Sequence, residues 1–197
     1  MNSYMSLREA WVAQRPLVID SGREYRRNIE RRHALRTLVS SPGEVLERHR
    51  RDVRAGADVV TTATWGIAAA TWVSPEPDRW MKIARRGVRL ARLAIAAQRR
   101  DGEVAVAFSV DAGDLRDGGL TINRLVRMFD AERPDLVILE ARSERQPALE
   151  DTVRSLEPTR LPVWLSFPRA PRTIEWLERR GRRTRELDPG LLEITRW

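Results

Sequence analysis

Two acidic residues end short apolar runs and are the clearest candidates for chemistry in this chain. Asp20 follows Leu17–Ile19, and Glu140 follows Leu136–Leu139. In a parallel α/β fold, residues at the carboxyl ends of the strands lie on one rim, where ligands bind. Two carboxylates there can bind an amino group, act as acid and base, or hold a hard cation. Spacing alone favours the alternative that each carboxylate caps the helix or loop that follows it.

Hydroxyl side chains follow two further strand-like runs. Thr62 and Thr64 lie at and just after the end of the run that begins at Asp58, and Ser166 lies near the end of the run Pro162–Phe167. These hydroxyls could line a pocket, although a strand-end threonine more often satisfies loop backbone groups. Ser166 has no obvious histidine partner, which argues against nucleophilic catalysis. His49 falls on the apolar face of a predicted helix and is interpreted as a packing residue rather than a base.

The elements that must position these residues alternate between strand and helix periods. Strands are predicted at Leu17–Ile19, Asp58–Thr62, Val104–Phe108, Leu136–Leu139, Pro162–Phe167 and Leu191–Thr195. Helices are predicted from Pro42 to Gly56, over Arg79–Arg100, around Ile122–Phe129, from Pro147 and around Ile174–Leu177. The succession fits a doubly wound sheet or a (β/α) barrel, and we expect one domain over residues 1–197. A complete eight-stranded barrel typically needs about 250 residues.

Composition limits the classes of protein to consider. The chain has no cysteine and two histidines, so disulfides and thiolate metal sites are excluded and a metal site would need carboxylates. No apolar run approaches the roughly 18 residues that span a bilayer, and no signal peptide is evident. We therefore expect a globular protein in the cytoplasm, with no membrane partner.

The net charge of +8 is concentrated in two segments. Residues 23–36 contain six arginines and two acids, and residues 169–185 contain seven and two. Arginine is used almost to the exclusion of lysine. This points to a coding bias and weakens any functional conclusion from the number of arginines. Nucleic acid is therefore not the expected partner. A basic module that binds nucleic acid or an acidic protein stays as an alternative.

Four blocks in matching order resemble the homocysteine S-methyltransferase family. Asp20-Ser21-Gly22 is similar to the Asp-Gly-Gly that follows the first strand of the family. Residues 42–58 resemble its proline, helix histidine and Ala-Gly-Ala-Asp segment. Residues 61–65 resemble its Thr-Asn-Thr-aromatic segment, with alanine in place of asparagine. Residues 139–141 resemble its Glu-Thr pair.

The resemblance implies a fold and a site. The family is a zinc-dependent (β/α)₈ barrel that transfers a methyl group to homocysteine from donors such as S-methylmethionine, betaine or methyltetrahydrofolate. By resemblance, Asp20 and Glu140 hold the amino group of homocysteine, with Thr62 and Thr64 nearby. Ser166 joins them as a candidate substrate-binding residue.

The chain also departs from the family. Residues 106–111 replace the Gly-Ser-Ile-Gly type segment, and the cysteines that hold zinc are absent, so no cofactor is expected. The chain ends at Trp197, about where the first of those cysteines would fall. We therefore expect an incomplete TIM-type barrel with about five or six parallel strands, truncated before the last barrel strands.

Three functional interpretations remain open. The leading one is a degenerate family member that keeps a homocysteine or methionine pocket, or serves as a subunit of a homo- or hetero-oligomer that completes the barrel. The second is a methyltransferase half that a cysteine-bearing partner makes active. The third is the arginine-rich interaction module. Without thiolates, the polypeptide alone should transfer methyl groups poorly, because a free thiol is only a few per cent thiolate at neutral pH.

Overall fold

The computed structural model describes residues 3–13, 15–19, 28–68, 77–112, 120–140, 153, 156, 159–166, 183–188 and 191–195. Five helices are described: α1 (Ser3–Val12), α2 (Asn28–Ser40), α3 (Pro42–Arg54), α4 (Pro77–Ala97) and α5 (Leu120–Glu132). Six strands are described: β1 (Val59–Thr61), β2 (Ala105–Asp111), β3 (Leu136–Glu140), β4 (Val163–Ser166), β5 (Arg183–Asp188) and β6 (Leu191–Thr195). The predicted alternation of strands and helices is confirmed.

The strands form one sheet with the order β1-β2-β3-β4-β6-β5. The pairs β1–β2, β2–β3 and β3–β4 are parallel. A parallel bridge from Ile19 to Val59 adds the first predicted strand beside β1. The predicted α/β class with a parallel sheet is therefore confirmed, and the described strands form an open sheet rather than a closed barrel.

The last predicted strand forms, but its direction differs from the prediction of a sixth parallel strand. β6 pairs antiparallel with both β4 and β5. Only residues 189 and 190 separate β5 from β6 in the sequence. A connection that short can reverse the chain but cannot make the crossover that parallel pairing requires. β5 itself was not predicted.

The outer face of the sheet carries the larger core. Alternate strand residues such as Val106, Phe108 and Leu139 point to helices α3, α4 and α5. The helix predicted over Arg79–Arg100 forms α4, and its apolar stripe, Trp80, Ala84, Val88, Ala91 and Ile95, is buried in this core. The apolar faces of these helices and of the sheet therefore form one continuous apolar layer.

The inner face of the sheet is covered by α1. Tyr4 and Leu7 pack against Val59, Ala105, Ala107, Leu136, Ile138 and Trp164. The hydroxyl of Ser6 donates to the carbonyl of Gly102, just before β2 begins, at 3.0 Å. α1 therefore seals the apolar part of this face near the amino ends of the strands.

Helix α3 begins and ends where the sequence predicts. Pro42 opens the helix, and Gly56 beyond its end has a φ of +95°, which glycine adopts without strain. The Ser41 side chain makes no cap hydrogen bond at the start of this helix. A backbone bond from Glu44 N–H to Ser41 O, at 3.0 Å, closes the first turn instead.

Several predictions fall outside the described residues. These are Asp20, the helix around residues 174–177, most of the helix from Pro147, and the greater part of the two arginine-rich segments. Within the described part of the chain, no helix has the length and apolar character to cross a membrane. The cytoplasmic location stays a prediction.

Candidate functional site

Polar side chains replace apolar ones at the carboxyl end of the inner face. Alternation along β2 puts Ser109 and Asp111 on the same face as Ala105 and Ala107, which pack under α1. By the same alternation, Glu140 of β3 and Ser166 of β4 follow the buried residues Ile138 and Trp164. The inner face is thus apolar under α1 and polar at the rim where parallel α/β folds bind ligands.

Glu140 lies at the centre of this rim. It pairs in register with Asp111 on one side and with Ser166 on the other, and its side chain is half-buried. The Ser109 hydroxyl donates to Glu140 Oε1 at 2.6 Å. Glu140 ends β3 and Ser166 ends the neighbouring strand β4, and their role in binding stays a prediction.

Thr62 and Thr64 form a buried hydrogen-bond network with Ser109, a set we call the Thr-Ser network. The two threonine Oγ1 atoms are 2.6 Å apart. The Ser109 N–H donates to Thr62 Oγ1 at 3.2 Å, and the Thr64 hydroxyl donates to the Ser109 carbonyl at 2.9 Å. The threonines are 3% and 0% exposed. Direct contact of Thr62 and Thr64 with a ligand stays a prediction, and their bonds favour a supporting role.

Gly87 allows α4 to pack directly on these threonines. A Cβ atom at Gly87 would lie 2.6 Å from Thr64 Cγ2 and 3.6 Å from Thr62 Cβ. Real carbon atoms in contact stay roughly 3.5–4.0 Å apart. The close approach of the helix therefore requires glycine at this position.

Asp111 also belongs to the rim. It is the last residue of β2, it is 0% exposed, and its N–H donates to the Trp65 carbonyl at 3.0 Å. Ser109 was also missed as a candidate. The period-two series at residues 105, 107, 109 and 111 was the signal that could have found both, because it keeps four consecutive odd positions on one face.

The chain directly before Asp20 is held beside β1 by Asp58. Arg15 makes two bonds to the Asp58 carboxylate, at 2.6 and 3.3 Å, and the Val18 N–H donates to the same group at 2.9 Å. With the Ile19–Val59 bridge, these contacts align the first segment with the sheet. Asp20 itself lies outside the described residues.

His49 is buried on the inward face of α3, as the packing interpretation predicts. Burial first, and then the positive charge of Arg48, lower the pKa of His49 to about 4. The imidazole is therefore neutral near pH 7. That state fits a packing residue inside an apolar layer.

Another buried acid, Glu193, lies under α1 and away from the rim. The Tyr4 hydroxyl donates to Glu193 Oε1, and the Tyr4 ring lies 6.4 Å from that of Trp164. Burial raises the pKa of Tyr4, and the hydrogen bond and charge of Glu193 raise it further. This contact joins α1 to β6 and helps to seal the inner face.

Comparison with known proteins places the chain in a family. The family described as homocysteine S-methyltransferase matches residues 17–173, which is most of the chain. The chain belongs to the homocysteine S-methyltransferase family. No curated protein matches it.

Solved structures share the fold of this family member. The metallated form of the homocysteine methyltransferase MmuM from Escherichia coli aligns with a TM-score of 0.57 and 20% identity, covering 80% of this chain and 65% of that one. The oxidized form aligns with a TM-score of 0.54 and 21% identity, covering 77% and 62%. The apo form aligns with a TM-score of 0.53 and 21% identity, covering 78% and 60%. This chain thus spans less than two thirds of the length of those structures.

This chain does not supply the thiolate ligands of the zinc centre that the family resemblance implies. The sequence contains no cysteine, so it supplies no thiolate. Among the described residues, no cluster of three or more histidine, aspartate or glutamate side chains is arranged to hold a metal ion.

Proposed function

We propose that this family member binds an α-amino acid, homocysteine or methionine, at the rim around Glu140. The observation that carries the proposal is the half-buried Glu140 carboxylate, held by Ser109 between Asp111 and Ser166. Asp20, which the resemblance pairs with Glu140, is proposed as the second acid of the site. Thr62 and Thr64 are proposed to serve the same site through Ser109.

The charge of this rim favours a cationic ligand group. Glu140 and Asp111 occupy neighbouring strand positions, so two carboxylates lie close together at this rim. A partly desolvated carboxylate gains more from an ammonium group than an exposed one does. The amino group of an amino acid meets that requirement, and the Ser166 hydroxyl can donate to a ligand oxygen.

We propose that binding occurs without efficient methyl transfer by this polypeptide alone. Attack on a methyl donor requires the thiolate of homocysteine, and a free thiol with a pKa near 8.5 is mostly protonated at neutral pH. The rim carries carboxylates and hydroxyls, which do not stabilise a thiolate. The chain would then act as a degenerate member of its family.

The proposal has a second form, in which the chain is one subunit of an assembly. The open sheet favours it, because the segment around Ile19 and β5 lie at the two edges of the described sheet, and edge strands offer backbone groups for pairing. A partner that carries cysteines could supply the thiolates and restore methyl transfer. The β5–β6 hairpin lies where a further parallel strand would pair with β4, so such a partner must accommodate it.

Calorimetry with homocysteine and with methionine tests the pocket. We expect the wild-type chain to bind at least one of them, and Glu140→Gln to weaken binding by at least about tenfold, because one charged interaction is lost. Glu47→Gln is the matched control, since Glu47 is an exposed residue of α3 paired only with Arg50 among the described side chains. Absence of binding by the wild type, or equal binding by Glu140→Gln, would refute the pocket.

Elemental analysis and activity assays separate the two forms. We expect no stoichiometric zinc and little methionine formation by the purified chain. Activity that appears only after mixing with a co-purified, cysteine-bearing protein would establish the assembly. Stoichiometric zinc with robust methionine formation by the chain alone would refute the degenerate enzyme.

A further inference from the structure

Hydrogen positions in the Thr-Ser network follow from its geometry. The Thr64 hydroxyl has one hydrogen, which it donates to the Ser109 carbonyl. Thr64 must therefore accept from Thr62 across their 2.6 Å contact. Thr62 in turn accepts from the Ser109 N–H. The three residues thus close a ring in which every hydrogen has one acceptor, an arrangement in which the bonds strengthen one another.

The ring replaces the sheet ladder at the point where β1 ends. β1 stops at Thr61, so no backbone strand remains beside Ser109 on that side. The threonine side chains satisfy the N–H and C=O of Ser109, and the Thr62 N–H still donates to the Ala107 carbonyl at 2.9 Å. Ser109 therefore has a fixed backbone near the carboxyl end of β2, beyond the point where β1 ends.

Ser109 uses its remaining polar group on Glu140. Its hydroxyl, in a residue that is 2% exposed, donates to Glu140 Oε1 at 2.6 Å. A carboxylate oxygen has a second lone pair, and Oε2 is a further acceptor. The bond from Ser109 thus restricts the rotation of the Glu140 carboxylate.

We propose that Ser109 is a positioning residue for Glu140, and that Thr62 and Thr64 act on the ligand only through the backbone of Ser109. This inference rests on the proposed amino-acid site. Preorganisation of the acceptor lowers the cost of ordering it when the ligand binds. The hydroxyl of Ser109 therefore contributes to affinity without touching the ligand.

Three variants test the role of Ser109. Ser109→Ala removes the hydroxyl, Ser109→Thr keeps it, and Thr159→Val is a matched control. Thr159 is a buried hydroxyl residue near the start of β4, at the opposite end of the sheet from Glu140. We expect Ser109→Ala to weaken methionine or homocysteine binding about tenfold, the equivalent of one hydrogen bond to a charged group. Ser109→Thr and Thr159→Val should bind within about threefold of the wild type.

A crystal structure of Ser109→Ala gives a readout that needs no ligand. We expect the Glu140 side chain to leave its position or to occupy several rotamers. If wild-type protein does not bind either amino acid, the proposed function fails, and this structure alone decides the inference. An unchanged Glu140 in Ser109→Ala overturns it, and so does equal weakening of binding by Ser109→Ala and Thr159→Val.

A second variant covers failure of Ser109→Ala to fold. Thr64→Val removes the donor to the Ser109 carbonyl, and Thr64→Ser keeps that donor. We expect Glu140 to be displaced and binding weakened in Thr64→Val, with recovery in Thr64→Ser. A Thr64→Val protein with Glu140 in its wild-type position would contradict the proposed chain of contacts.

Discussion

Substitution of Gly87 by alanine should destabilise the protein, although alanine is the better helix former. In an open helix interior, alanine gains about 1 kcal/mol over glycine. Here the new Cβ would lie 2.6 Å from Thr64 Cγ2 and 3.5 Å from Leu38 Cδ2. Thr64 cannot rotate away without breaking the bonds that its hydroxyl makes to Thr62 and Ser109. The clash must therefore be relieved by movement of α4.

The expected magnitude follows from two opposing effects. Overpacking of a dense core typically costs about 1–3 kcal/mol. Because the 2.6 Å approach is severe, we use the upper part of that range, about 2–3 kcal/mol, and subtraction of the helix-propensity gain leaves a net loss of about 1–2 kcal/mol in the free energy of unfolding. For a domain of this size that corresponds to roughly 3–6 °C in Tm. Urea denaturation of wild-type and Gly87→Ala proteins measures the loss directly.

Two companion variants make the test specific. Gly43→Ala is the matched control, because no atom lies within 4 Å of a Cβ built at Gly43, and we expect it to be neutral or slightly stabilising. Thr64→Ser removes the clashing methyl group and keeps the hydroxyl, so most of the loss should disappear when Gly87→Ala is made in that background. A Gly87→Ala protein at least as stable as the wild type would refute the packing explanation, as would an equal loss in the Thr64→Ser background.

Two further predictions concern stability. Asp58→Ala should cost about 2–3 kcal/mol, because the buried carboxylate accepts from the Val18 N–H as well as from the half-exposed Arg15. Asp58→Asn should lose less free energy of unfolding in urea denaturation, since it keeps an acceptor. Equal stability of Asp58→Ala and the wild type would contradict a stabilising role for the Asp58 contacts. The lowered pKa of His49 means that the unfolded chain binds a proton between about pH 6.5 and 4 that the folded chain does not. Stability should therefore fall as pH falls through that window, by up to about 3 kcal/mol. Unfolding measured at pH 5 and 7.5 should show a smaller pH dependence in His49→Gln, and identical slopes would contradict the assignment.

Much of the fold could be predicted because its signals are local. The apolar stripe of α4 and the start of α3 at Pro42 follow from spacing within a few residues. The positions of β3, β4 and β6 follow from short apolar runs in the same way. The direction of β6 could not be predicted from its own residues, because a strand has the same side-chain pattern in parallel and antiparallel pairing.

The candidate site was predicted only in part. Glu140 and Ser166 were found because each ends an apolar run, and parallel pairing then makes them neighbours. Ser109 and Asp111 were missed because the predicted strand ends at Phe108, whereas β2 continues to Asp111. Trp65 is buried, which its position in the sequence does not reveal. Its environment depends on how the segment after β1 folds against β2.

The sequence by itself determined the family, the succession of strands and helices, and the absence of thiolate ligands, because these depend on residue types and on periods of two to four residues. The tertiary structure decided which partners each hydroxyl bonds and how the threonines are joined to Glu140 through Ser109. It also decided that α1 covers the apolar part of the inner face. Those outcomes depend on hydrogen bonds and packing between segments many residues apart. No local pattern records such contacts, since each arises only when the strands pair and the helices pack on them.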